Sequence, residues 1–326
     1  AVIIYLALSQ LYWGQLHLKP LQPINWVSRY FNFKSGYQSY SPLRNYHTNA
    51  IPVAPSKYPW IADVVHSRSG DVPHACTASC IEDGIFITAA ACIYSLKIKH
   101  TTLLYMSLRL VVRAFVLPSV PTKQMFDDIG IIVVDAKKVK GVKWAHINLF
   151  TAVKRTDRLF HWFANIDKNY GKINYRVIAY AIKKVRISSF AKPEEQFTLF
   201  ELDVIAEPDI CFKVLQRNDD IKHEGYRVPC YHTCPFKDYF NEKAACRNRF
   251  LGVEGGAIID TISNKLIGVA TWGGGAVNAT ELPVGFSFAN SETFYKDLAC
   301  AKWIRDDNGQ LDTKGYYQSL CDKNNK

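Results

Sequence analysis

No run in this sequence is long and apolar enough to span a bilayer as a helix. The nearest approach, Ala1–Tyr12, falls short of the ~20 residues a crossing needs and gives way to Gly14 and Gln15. Residues 1–15 are therefore expected to be a truncated signal peptide, with a buried strand or a membrane anchor as the competing readings. Methionine is nearly missing, at 2 of 326 residues, whereas there are 9 cysteines, 18 tyrosines and 18 phenylalanines. That balance argues against a cytosolic enzyme and for an exported chain with stapled loops. Because the cysteine count is odd, at least one thiol is unpaired or pairs outside the chain. There is no repeat of fixed period and no low-complexity tract, which argues against a solenoid.

What is present is apolar content of 48%, ample for a buried core. Residues 16–49 lack cysteine, are rich in aromatic and basic residues, and show no periodicity, so they read as an extended N-terminal arm. From Tyr58 the texture changes to short apolar runs cut by turn residues: 61–65, 84–91, 103–116, 129–134 and 175–187. Short strands punctuated by Pro and Gly predict a barrel or sandwich over residues 50–304. One helix is expected late, at 293–304, with Asn290 or Ser291 as its cap and Phe294, Leu298 and Ala301 on one face. Residues 305–326 are left as a C-terminal tail.

Charge is unevenly spread. Residues 137–192 hold 14 Lys or Arg against Asp157 and Asp167, a local +12 beside a whole-chain charge of +11. The strip is either a set of solvated faces or a docking surface for an acidic protein, a sulfated glycan or an anionic membrane. Lys183, Lys184 and Arg186 come with no nucleic-acid recognition motif, and the alternation over 175–187 reads as a strand with one wet face. Cys230-x3-Cys234, with Cys246 and His223 nearby, has no second matching pair, so disulfides are expected there rather than zinc. Neither a metal nor a cofactor is expected. Asn278-Ala279-Thr280 is an acceptable N-glycosylation sequon, in keeping with export.

One segment is more specific. Cys76 and Cys92 lie 16 residues apart, and the second closes Thr88-Ala89-Ala90-Ala91-Cys92. This resembles the chymotrypsin-like serine protease family, in which such a pair is bridged and the second Cys follows Thr-Ala-Ala-His. Asp128-Ile129-Gly130-Ile131-Ile132 resembles the family stretch carrying the orienting carboxylate. Gly252-Val253-Glu254-Gly255-Gly256-Ala257 resembles Gly-Asp-Ser-Gly-Gly-Pro, and Thr271-Trp272-Gly273 resembles the Ser-Trp-Gly strand lining the substrate cleft. These matches occur in family order over about 58–304. The resemblance implies an all-β fold of two packed six-stranded antiparallel barrels, centred on 76–134 and 175–288, with a C-terminal helix.

It also implies that catalysis has been lost. The base position is Ala91, the nucleophile position is Glu254, and Val253 stands where an Asp pairs with the freed amino terminus. Acyl transfer by a serine needs an imidazole to take its proton and a third group to hold the ring. An alanine accepts no proton, and a carboxylate at position 254 sets negative charge among donors meant for an oxyanion. The expected activation sequence is reduced to Asn49-Ala50-Ile51-Pro52-Val53-Ala54, with no basic residue just before Ile51.

The chain departs from the family around its specificity pocket. The Cys before the nucleophile is Cys246, eight residues away, its partner after the cleft strand is missing, and the pocket-floor position counts to Asn248. By family position Cys76 bonds Cys92 and Cys211 bonds Cys230. Cys234 with Cys246 and Cys300 with Cys321 are then the economical local pairs, leaving Cys80 over. Trp272 and Gly273 mark a vestigial cleft. Asp128, having no imidazole to hold, is expected to tie the barrels together through Thr271 Oγ1, with a backbone amide beside Ala91 taking the rest.

The functional expectation is a secreted, non-catalytic homologue that works by binding extracellular proteins, an active protease or its substrate among them. It is similar to the inactive serine protease homologues of arthropod immune or reproductive fluids. Two other classes stay open: a glycan- or anionic-surface-binding module using 137–192, and an enzyme of altered chemistry using Glu254 and Asp128.

Overall fold

The computed structural model describes residues 51–67, 74–94, 96–118, 128–135, 139, 141–150, 175–185, 194–206, 230–232, 254–273, 276–277, 280–281, 284–289, 292–307 and 321. Fifteen strands and two α-helices lie among them. Six of the strands close a first antiparallel barrel: β2 (Ile61–His66), β3 (His74–Glu82), β4 (Ile85–Ala89), β5 (Thr101–Tyr105), β6 (Leu108–Val116) and β7 (Ile129–Val134). Its order is β2-β3-β4-β7-β6-β5, closed by pairing of β5 with β2. Alternation fills the interior, since Leu103, Tyr105, Leu110 and Val112 are fully buried while Arg109 and Val111, on the other face, are exposed.

The second sheet joins β8 (Tyr175–Val185), β9 (Glu194–Ala206), β10 (Cys230–His232), β11 (Ala257–Asp260), β12 (Lys265–Gly273) and β15 (Val284–Phe288). Their antiparallel pairings run β9-β10-β15-β12-β11-β8 and return to β9, so this barrel also closes. Val177, Ala179, Ile258 and Ile267 fill its core with Phe286 and Phe288. Among the described side chains of β8, the face expected to be wet carries Ile178, which is fully buried in the first barrel's core, beside half-buried Arg176 and Tyr180.

A seventh strand lies outside the expected plan. β1 (Ile51–Pro52) pairs along β9, with Ile51 opposite Glu201 and Pro52 opposite Phe200. Residues 51–60 thus leave the second barrel and enter the first, where Tyr58 and Trp60 are buried. A small hairpin pairs β13 (Ala276–Val277) with β14 (Thr280–Glu281).

Helix α1 (Ala90–Ile93) is a single turn that begins within Thr88-Ala89-Ala90-Ala91-Cys92. Helix α2 (Glu292–Asp306) covers the predicted 293–304. Phe294, Leu298, Ala301 and Ile304 are buried against the first barrel, as their spacing requires, while the proposed caps lie outside the described residues. The tail is tied back: Cys321 is buried and bonded to Cys300, with alpha carbons 5.7 Å apart.

Candidate functional site

The positions that resemble the family's triad lie on the short helix α1 (Ala91), just before β7 (Asp128) and just before β11 (Glu254). Cys76 and Cys92 are bonded, their alpha carbons 6.2 Å apart, which fixes α1 against β3. The first amides of a helix have no partner within it. Here the Asp128 backbone carbonyl accepts from Ala90 N–H at 3.0 Å, and Asp128 Oδ1 accepts from Ala91 N–H at 2.8 Å. Asp128 therefore caps α1 with both its main chain and its side chain. Its own N–H donates to Ser287 Oγ at 3.0 Å, a bond from the first barrel into β15 of the second.

The expected bond to Thr271 does not form. Thr271 Oγ1 is buried and has no hydrogen-bond partner. Register explains the difference: Ala270 pairs with Phe286 but Trp272 pairs with Gly285, so a β-bulge falls at Thr271 and redirects it. Ser287, fully buried on the neighbouring strand, accepts from the Asp128 main-chain amide, whereas the Thr271 hydroxyl was expected at the Asp128 carboxylate.

Glu254 is half-buried, and its carbonyl accepts from Thr77 N–H at 3.0 Å. Since Thr77 follows the bridged Cys76, this places the Glu254 backbone beside the α1 segment. Gly255 N–H donates to Ala270 O at 2.7 Å, and Ala270 N–H returns to Gly256 O at 2.8 Å. Gly255 has φ +78, and a Cβ there would stand 2.0 Å from Thr77 O and 2.2 Å from Thr88 Oγ1. Only glycine fits this close approach, whatever side chain occupies position 254.

Asp128 is thus bonded directly to Ala91, and the Glu254 backbone is bonded to β3 one residue from the bridged Cys76. Trp272 and Gly273 follow on β12, paired with Gly285 and Val284. Val253, Asn248, Asn278, Cys211, Cys234 and Cys246 lie outside the described residues, as do the side chain of Cys230 and any bridge it makes. Cys80 is a free, buried thiol whose pKa burial pushes up to about 12. Among the described residues no group of three or more His, Cys, Asp or Glu could hold a metal, and no helix is long and apolar enough to cross a membrane.

One polar cluster escaped the sequence reading. The Glu201 carboxylate, on β9, is buried and accepts from Lys57 Nζ at 2.7 and 2.6 Å and from the Tyr58 hydroxyl. Arg176 lies 3.8 Å away and bonds Asp203 through Nε at 2.7 Å. Burial pushes the Glu201 carboxyl up, but Lys57, Tyr58 and Arg176 outweigh it and hold the group below the ordinary range. A second buried pair, His74 Nδ1 to Asp63 Oδ1 at 2.5 Å, lies against the ring of Tyr180. A lone Glu inside the strand run Leu199-Phe200-Glu201-Leu202 was the available signal for the first cluster. Two of its partners, Lys57 and Tyr58, are more than a hundred residues away in the chain.

No protein-family model and no curated protein matches this sequence. Solved structures do. HL collagenase is 17% identical with a TM-score of 0.50, over 79% of this chain and 98% of its own. The secreted serine protease VesC from Vibrio cholerae is 16% identical (TM-score 0.48, 74% of this chain), and the VesB protease of the same organism is 15% identical (0.48, 77%). The chain spans 46% of VesC and 66% of VesB. The fold is that of the chymotrypsin-like serine proteases.

Proposed function

We propose that this chain is a secreted, non-catalytic serine protease homologue that acts by binding an extracellular protein, as a cofactor, decoy or regulator in a proteolytic pathway. One observation carries the reading. At the base position stands a methyl group, and the carboxylate that would orient an imidazole there is engaged by the Ala91 amide. Asp128 then serves as a helix cap, a structural task that accounts for its presence without catalysis. Glu254 in place of a serine, and Val253 in place of the activation Asp, point the same way.

The competing readings draw less support. An enzyme using Glu254 with Asp128 would need a carboxylate free to move protons, and Asp128 Oδ1 is occupied by the α1 cap. For the basic strip, Arg176 is paired with Asp203 on the neighbouring strand. Part of that charge is therefore met within the sheet.

The test is exposure of the purified protein to peptide and ester substrates, together with native recovery of its complexes from the secreting fluid. The reading expects no hydrolysis and a stable protein partner. Turnover that follows the protein through purification would sink it.

A further inference from the structure

Carboxylates away from full solvent exposure are matched inside this chain. Glu201 takes Lys57, Glu82 takes Lys302, and Asp128 takes the Ala91 amide. Glu254 differs from them. It is half-buried, yet its carboxylate makes no hydrogen bond or ion pair among the described residues, in a chain that carries 40 Lys and Arg against 29 Asp and Glu.

Its main chain, in contrast, is firmly held. Thr77 N–H donates to Glu254 O at 3.0 Å, and the two glycines that follow exchange bonds with Ala270 at 2.7 and 2.8 Å. Gly255, at φ +78, approaches Thr77 O too closely for any side chain to fit. The turn therefore has one path, and the Glu254 side chain starts from a fixed alpha carbon. The strand on the other side of this clamp carries a second polar group without a partner: Thr271, next to Ala270, is 4% exposed and its hydroxyl is unbonded. Buried and half-buried polar groups are ordinarily met by a donor or acceptor. Here a rigid support presents a carboxylate to nothing within the described chain.

The charge sign selects the ligand. Phosphates, sulfated glycans and acidic segments are repelled. A metal ion needs further ligands, and no group of three or more His, Cys, Asp or Glu lies among the described residues. We propose that Glu254 is the recognition point for a basic side chain, Arg or Lys, presented by the protein partner of this chain. A guanidinium can bond both carboxylate oxygens at once, and an ammonium can bond either. Because the turn is ordered before binding, only side-chain rotamers are lost on this side of the contact. Partner surface closing over the site excludes water and strengthens the pair. The proposal rests on the binding reading above and supplies the chemistry of the contact.

The probes are fluorescent peptides with a single Arg between glycines, and the Lys, citrulline and Glu counterparts, titrated by anisotropy and then recovered for mass spectrometry. Saturable binding is expected for the Arg and Lys peptides alone, weakening as salt rises. Glu254→Gln should weaken it about tenfold or more and leave the melting temperature unchanged, since the side chain holds nothing in the fold. Glu254→Lys should turn the preference toward the Glu peptide. Asp306→Asn, at an exposed carboxylate on α2, should leave binding as it was. Equal binding of the citrulline peptide, binding indifferent to Glu254→Gln, or no binding at low salt would overturn the proposal. So would self-association in sedimentation that Glu254→Gln abolishes, because a second copy would then be the occupant. Cleavage of a recovered probe would count instead against the non-catalytic reading, so the two failures are distinct.

Discussion

Asp128 and Gly255 each hold a place in the fold that structural contacts alone account for. Asp128 receives the Ala91 amide and sends its own amide to Ser287 Oγ, so it ends a helix and joins two barrels at once. Asp128→Ala should cost about 1 to 2 kcal/mol, the usual range for a lost helix cap, read from urea denaturation. Asp128→Asn should cost less, because the amide oxygen still accepts. If both variants match the parent, the cap has been misassigned. Gly255 is held by its contact with Thr77 O and by positive φ. Gly255→Ala should destabilise by about 3 kcal/mol or more or prevent recovery of folded protein, since the added Cβ meets main chain rather than a flexible side chain.

Among the elements, the strap from β1 to Trp60 is held by a buried charge cluster. The Glu201 carboxyl titrates below its ordinary value, so its contribution to stability is complete above the unfolded pKa of about 4.5. It is lost as pH falls through the lower folded value. Glu201→Gln should therefore lower the melting temperature at neutral pH, and the gap from the parent should close in strong acid. A gap that persists or widens in acid would contradict this sign.

The strap was illegible in the sequence. Its strand is two residues long and contains a proline, and its partner β9 lies about 150 residues on. The longer elements were legible because burial repeats along them: Ile129–Val134 is buried throughout, and Phe294, Leu298 and Ala301 share one face of α2. The bridge between Cys76 and Cys92 was legible too, but not every contact expected around it. A hydroxyl at Thr271 gives no sign of the bulge that turns it from Asp128.

For the whole molecule, the two barrels keep the architecture that in an active protease aligns base, nucleophile and oxyanion hole. Those parts act as a unit, and losing one removes most of the rate. Replacing both Ala91→His and Glu254→Ser should therefore not restore proteolysis. Val253 still lacks the activation carboxylate, and the loop near Cys246 departs from the family pattern. Peptide cleavage by that double variant above the parent's background would show that the remaining scaffold is competent.

The most direct measurement of the central claim is labelling of the unaltered, secreted protein by a serine-directed fluorophosphonate, read by intact mass spectrometry. With Ala91 as base and Glu254 as nucleophile, the account predicts no covalent adduct on folded protein at any exposure that fully labels an active protease in the same tube. A stoichiometric adduct that disappears on denaturation would contradict it, because it would reveal an activated serine where none is assigned.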